Sequence, residues 1–209
     1  GGSINDIYAR KVLAKDNQGF VNVSPSGGMN LETVEPIYLG KTTPDFTMGW
    51  NNNFTYKNFG LSFLINARVG GIVTSSTQAL LDRFGVSKAS ADARDAGGVM
   101  IPNQGLYDAK KYYTLVATGE NDLAGYYTYS ATNVRLQELT LSYKFNSRLF
   151  NNVIKDLTLS FVATNPWMIY CKAPFDPELT ASTGTYGQGN DYFMQPSLKS
   201  YGFSVKFKF

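Results

Sequence analysis

Along the last ten residues, apolar and polar side chains alternate without a break. Tyr201, Phe203, Val205, Phe207 and Phe209 hold the odd positions, and Ser200, Gly202, Ser204, Lys206 and Lys208 the even ones. A period of two puts each set on its own face of a β-strand, one apolar and one polar. The same pattern recurs upstream. Phe46, Met48, Trp50, Phe54 and Tyr56 alternate with Thr47, Gly49, Asn51, Asn53 and Thr55. Leu61, Phe63, Ile65, Ala67 and Val69 face away from Ser62, Asn66 and Arg68, with Leu64 the apolar exception. Leu139, Leu141, Tyr143 and Phe145 oppose Thr140, Ser142 and Lys144, and Leu157, Leu159, Phe161 and Ala163 oppose Thr158, Ser160 and Thr164. A weaker strand covers about Asp6 to Ala14. Val134 and Leu136 have even parity while Leu139 and Leu141 have odd parity; one extra residue near Gln137–Glu138 restores a common face, as a β-bulge does. The chain is thus expected to be all-β, with about six strands. Several have the roughly 9–11 residues that cross a bilayer at a tilt.

The connections sort by length. If the chain ends on the periplasmic side, that side receives the tight turn Lys57–Asn58 and the connection from Asn146 to Asp156. The other side receives the long stretches 15–44, 71–131 and 171–194. Short inner turns and long outer loops are the asymmetry of antiparallel up-and-down transmembrane barrels. Tyr56, Phe59, Tyr143, Phe145, Phe207 and Phe209 gather at the strand ends given to the periplasmic side, as an aromatic girdle would. Within 71–131, Ser75 to Gly85 reads as a short helix ended by glycine. Ser87 to Ala96, closed by Gly97–Gly98, reads as another.

Composition narrows the chemistry. The chain carries no histidine and a single cysteine, Cys171, so the commonest general base, multi-cysteine metal sites and internal disulfides are out of reach; no metal or cofactor is expected. Aromatics make up 14% and charged residues 17%, a poor match to a disordered tail. A net charge of +3 without a basic run argues against nucleic acid. No stretch approaches the ~20 apolar residues of a spanning helix, and the mean hydropathy is −0.20. Alternating strands average to such values, so a barrel is compatible with them. Gly1 to Asp6 holds neither a basic stretch nor an apolar run and is not read as a targeting segment.

Several segments resemble the C-terminal region of SusC-like TonB-dependent transporters, in that family's order. They are Asp6-Ile-Tyr-Ala-Arg-Lys, Asn51-Asn-Asn-Phe-Thr-Tyr-Lys-Asn-Phe-Gly-Leu-Ser-Phe-Leu-Ile, Ala131-Thr-Asn-Val-Arg-Leu-Gln-Glu-Leu-Thr-Leu-Ser-Tyr, Ala173-Pro-Phe-Asp-Pro-Glu178 and the terminal Phe strand. The resemblance implies a 22-stranded barrel with an N-terminal plug in the outer membrane of a Gram-negative bacterium. It implies import of glycans, oligosaccharides or peptides driven by TonB, with a SusD-like lipoprotein as lid. The chain has neither the plug nor most of the barrel, and six strands close no barrel. It is therefore expected to need the remainder of the barrel and plug, to reach TonB only through the missing N-terminal part, and to transport nothing alone. It would be part of a longer protein, one piece of a split chain, or a chain folded by another association. Near Asn165-Pro166-Trp167 the family pattern lacks the proline; Pro166 offers no ladder donor, so that strand is expected to bend or unpair locally.

Candidate substrate contacts are Tyr186, Asn190, Asp191 and Tyr192, with Gln188, on the 171–194 loop, and Asn66, Arg68 and Arg135 on the polar, lumen-facing side. Tyr112, Tyr113, Tyr126, Tyr127 and Tyr129 supply further aromatic faces on the 71–131 loop. The terminal strand, Tyr201 to Phe209, is expected to close the barrel with its apolar face on lipid. Asp176 and Glu178 are spaced for a carboxylate pair, but two prolines make a rigid turn the stronger reading, and no enzyme is expected. Gly119 to Gly125 lacks the spacing of a calcium loop. The alternatives are a soluble β-rich carbohydrate-binding module, whose apolar strand faces would be buried sheet against sheet, and, more weakly, a glycan-processing enzyme.

Overall fold

In the computed structural model, residues 2–19, 21–23, 27–102, 104–118, 125–146, 156–178 and 188–208 are described. Phe209, Tyr186 and residues 119–124 lie outside them. The elements in chain order are β1 (Asp6–Leu13), β2 (Leu31–Lys41), β3 (Phe46–Tyr56), β4 (Phe59–Val69), β5 (Ile72–Ser75), α1 (Ser76–Arg83) and α2 (Lys88–Asp95). Then come β6 (Val99–Ile101), β7 (Gly105–Tyr107), α3 (Ala109–Thr118), β8 (Thr128–Ser130), β9 (Asn133–Phe145), β10 (Asp156–Cys171), β11 (Asn190–Asp191) and β12 (Ser200–Lys208). The chain weaves between two compact units. One comprises 1–43, 71–130 and 177–194; the other comprises 44–70, 131–176 and 195–209.

The second unit is a five-stranded antiparallel meander in the order β12-β10-β9-β4-β3. Its strands are those that the two-residue period marked. The expected bulge is present: Leu64 pairs with Glu138 and Ile65 with Leu136, leaving Gln137 as the extra residue. β10 bulges at the same level, since Thr164 pairs with Glu138 and Trp167 with Leu136. Asn165 there has φ 49 and Pro166 lacks a donor, so the break falls where the ladder could not continue.

The β3–β4 hairpin turns at Lys57–Asn58, with Tyr56 opposite Phe59. Lys57 takes φ 52, a region that costs a side chain about 1–2 kcal/mol. The turn is secured from outside: Asn58 Nδ2 donates to the Lys144 carbonyl at 2.7 Å, and Lys144 N–H donates to the Asn58 carbonyl at 2.8 Å.

The first unit gathers smaller pieces. β1 pairs with β2, which lies inside the stretch 15–44 that the sequence pattern marked as a connection. The reason is visible in the register: between Ala9↔Ile37 and Lys11↔Thr33, β2 carries extra residues around Val34–Pro36, which erases its alternation. So β1, expected as a sixth wall strand, has its partner here and not in the meander. Ala79, Val116, Ala117 and Tyr127 form a buried cluster, with Leu31, Tyr112, Tyr113 and Tyr126 against it.

Both helices expected from sequence form. Ser75 caps α1 by accepting from Gln78 N–H, and Ser87 caps α2 by accepting from Ser90 N–H. Each ends in a left-handed glycine with paired back-bonds: Gly85 N–H to Asp82 and Val86 N–H to Leu81, then Gly97 N–H to Arg94 and Gly98 N–H to Ala93. The third helix, α3, was not expected from the sequence pattern; Asp108 accepts from Lys111 N–H at its start.

Replacing Lys57 by glycine relieves the left-handed strain without touching the Asn58 bonds. K57G is expected to raise the unfolding free energy by about 1 kcal/mol in denaturant titrations; an unchanged or lowered value would show the turn to be unstrained.

Candidate functional site

Antiparallel register assembles the alternating strands into one continuous surface. Tracing one row across the sheet, Phe54 lies opposite Leu61, Leu61 opposite Leu141, Leu141 opposite Phe161, and Phe161 opposite Phe203. The row nearer the hairpin joins Tyr56, Phe59, Tyr143, Leu159 and Val205. Much of this surface is open: Phe54 is 55% exposed, Phe59 63% and Phe203 86%, while Leu61, Tyr143 and Phe161 are half-buried among their neighbours. A soluble sheet hides such a face, and an apolar surface of this extent calls for an apolar environment. Within it, Asn52 is the polar exception, its amide nitrogen buried beside its neighbours with no acceptor.

The dimensions fit a bilayer. β3 and β4 have 11 residues each, so each extends about 37 Å at ~3.4 Å per residue, and a ~45° tilt brings this near the ~25 Å apolar band of barrel walls. Aromatic rings cluster at the hairpin end, with Phe59 and Tyr143 centroids 4.7 Å apart and Tyr143 and Phe145 4.8 Å apart. Lys57, in the turn beyond them, holds its Nζ 5.4 Å from the Tyr56 ring centre, and Lys144, between Tyr143 and Phe145 on the polar face, pairs with Asp156 at 2.7 Å. Rings at a boundary with cations just outside it are what an interface selects.

The opposite face carries the polar residues. Asn66 lies opposite Arg135 and Arg68 opposite Asn133, so three of the expected lumen-facing residues do come together. Arg135, however, is committed. Its guanidinium donates to Asp176 Oδ1 at 2.6 Å and to Ser197 Oγ at 3.2 Å, and both partners of the ion pair are buried. The sequence pattern had weighed Asp176 only as a partner of Glu178; a carboxylate held by a buried guanidinium serves as an anchor. No local signal links residues 135 and 176, which meet only through the β9–β10 register.

The other expected contacts fall in the first unit. Asn190 Oδ1 accepts from Ser76 Oγ at 3.2 Å, and buried Asp191 accepts from Ser75 Oγ at 2.6 Å. Phe193 N–H donates to Thr77 Oγ1 at 2.7 Å. Segment 190–193 is therefore fastened to the first turn of α1, next to Gly189, where a Cβ would come 2.5 Å from the Thr42 methyl. Of this set Tyr192 is exposed, against Phe193. The loop tyrosines are largely internal: Tyr127 donates to Asp82 at 3.0 Å and Tyr126 to Tyr112 at 3.1 Å. Burial pushes the Tyr126 and Tyr127 phenols well above the usual tyrosine range, and the Asp82 carboxylate adds to the effect on Tyr127.

An antiparallel β-meander with one lipid-compatible face and one polar face is the architecture of a transmembrane β-barrel wall. Among the described residues it does not close into a barrel. No protein-family model matches the chain. It is 25% identical, over its whole length, to the TonB-dependent receptor P3 of Formosa agariphila, covering 21% of that protein. It is 23% identical over 86% of its length to the TonB-dependent receptor SusC of Bacteroides thetaiotaomicron, covering 17%. Its fold matches the RagAB peptide importer in the closed-closed state with a TM-score of 0.58 at 15% identity, over 96% of this chain and 22% of that one. A second structure, the RagAB peptide transporter, gives 0.57 at 18% identity with the same coverage. The chain spans about a fifth of the length of the relatives it matches. It thus resembles part of a SusC-like TonB-dependent receptor.

Two outcomes follow. Phe203→Arg puts a cation on the apolar face near mid-strand and is expected to lower folding stability in lipid by about 2–4 kcal/mol, whereas Ser204→Arg, on the other face, costs under about 0.5 kcal/mol; equal costs would refute the assignment of faces. In alkali, the unfolded chain releases tyrosine protons at about pH 10 while Tyr126 and Tyr127 keep theirs in the fold, so their contribution to stability is constant below that value and falls above it. Ultraviolet absorbance titration checks this: phenolate from these two residues should appear only with unfolding.

Proposed function

We propose that the chain forms the C-terminal wall segment of a TonB-dependent importer in the outer membrane of a Gram-negative bacterium. The observation that carries this reading is the broad apolar face of the five-stranded meander, with 11 residues in each of β3 and β4 and aromatic rings with Lys57 at its hairpin end. In that setting the Lys57–Asn58 turn lies on the periplasmic side. The stretches 15–44, 71–131 and 171–194 are then outward, and the face bearing Asn66, Arg68 and Arg135 looks into the conduit. Tyr192, exposed on the first unit, remains a cargo contact, as does Tyr186; Asn190 and Asp191 act by holding their segment on α1.

The rest of the barrel and a plug would complete the wall, because the outer edges of β3 and β12 need strand partners within lipid. A SusD-like lipoprotein would cover the outer mouth, and TonB would act through an N-terminal part of the whole receptor. Cargo would be peptides, in keeping with the RagAB likeness, or the glycans and oligosaccharides that the family resemblance implies. A soluble carbohydrate-binding module accounts less well for Phe203 and its neighbours, whose faces are open.

The test is fractionation and uptake by a Gram-negative host producing the whole receptor with its lipoprotein. The receptor should appear in outer membranes with the gel migration shift on boiling that folded barrels show, and labelled peptide or oligosaccharide should enter only when TonB is present. Recovery as a detergent-free periplasmic protein, or uptake indifferent to TonB, would overturn the reading.

A further inference from the structure

The ladder between β10 and β12 stops at Thr164↔Ser200, although β10 continues, paired with β9, to Cys171↔Asn133. Residues 195–199 approach this outer stretch without strand structure. Two side chains fasten them: Arg135 to Ser197 at 3.2 Å, and Asn165 Nδ2 to the Leu198 carbonyl at 3.3 Å. Arg135 also grips Asp176, on the other limb of the same connection. One guanidinium therefore holds residue 176, where the chain leaves the sheet unit, and residue 197, where it has returned. The planar fork of arginine suits this double grip, which a lysine ammonium on one flexible stem would not reproduce.

We propose that Arg135 is a positioning residue, a clasp that closes the stem of the 172–199 connection onto β9, and that it affects cargo through this connection and not by touching cargo. The proposal rests on the import reading for its effect on cargo, and on the two bonds of Arg135 for the clasp itself. A side chain whose exposure is 7%, with a carboxylate exposed to 9% across a 2.6 Å contact, has little surface left for a passing ligand. Losing one member of such a buried pair leaves the other charged and unpaired, so each single substitution should release the stem, while exchanging the charges should restore it.

The experiment uses the whole receptor in outer membranes, with Arg135→Asp, Asp176→Arg, the double exchange, and Ser197→Ala. Proteinase K cleavage within 172–199 on intact cells reads the clasp; uptake of a fluorescently labelled tryptic peptide digest reads the cargo step; the boiling-dependent gel shift reads the barrel. Both charge variants should be cut about tenfold faster or more and lose uptake with the gel shift kept, and the double exchange should recover both to within about twofold. S197A should show a smaller increase in cleavage. Protection recovered by the exchange without uptake would mean that Arg135 itself meets cargo, and would overturn the proposal. Unchanged cleavage in S197A and the charge variants would do so too, as would loss of the gel shift in the charge variants without faster cleavage in S197A. If wild-type receptor takes up no labelled peptide, the peptide-import reading fails while the cleavage rates still decide the clasp.

Discussion

In hydrocarbon, each backbone N–H and C=O must find its partner within the protein, since no water replaces a missing bond. The meander β12-β10-β9-β4-β3 is organised around that requirement. Along most of its length the pairing is residue for residue, as from Phe46↔Val69 to Tyr56↔Phe59. With the ladder satisfied, the side chains are free to separate by face, and the alternation of Phe, Leu, Tyr and Val with Ser, Thr, Asn and Lys becomes an apolar surface on one side and a polar wall on the other.

The departures from ladder pairing concentrate at one level of the sheet. Gln137 bulges from β9, and Asn165 with the donorless Pro166 bulges from β10 beside it. Extra residues on successive strands bend and twist the sheet there. Past that level β12 no longer pairs with β10, and side chains replace backbone bonds as fasteners. Arg135, two residues from the bulge, binds Asp176 and Ser197. A buried ion pair is a poor source of net stability, yet breaking it is costly; that combination suits a part whose job is to hold one arrangement.

The first unit follows a different logic, with its apolar side chains turned inward and its segments tied by side-chain hydrogen bonds. Its short helices have their ends set by Ser75, Ser87, Gly85 and Gly97, and its buried cluster centres on Val116 and Tyr127. Ser75 does two things at once: it caps α1 and donates to Asp191, 116 positions away. Residues that the sequence offered as cargo contacts are used there to fasten one loop segment to another.

The strands of the meander, their faces, the bulge at Gln137 and the ends of α1 and α2 were legible in the sequence because each depends on neighbours in the chain. Period-two alternation, a parity change, a capping serine and a left-handed glycine are local statements. β2 escaped notice because extra residues around Val34–Pro36 break its alternation, and α3 because Tyr112, Tyr113, Thr114 and Val116 are aromatic or β-branched and suit a strand as well as a helix. The partner of β1 and the commitment of Asp191 and Asp176 were decided by tertiary structure alone. Asp176 reaches Arg135 only because the β9–β10 register returns the chain to that level of the sheet, and register between distant strands is a property of the whole sheet and of no single segment.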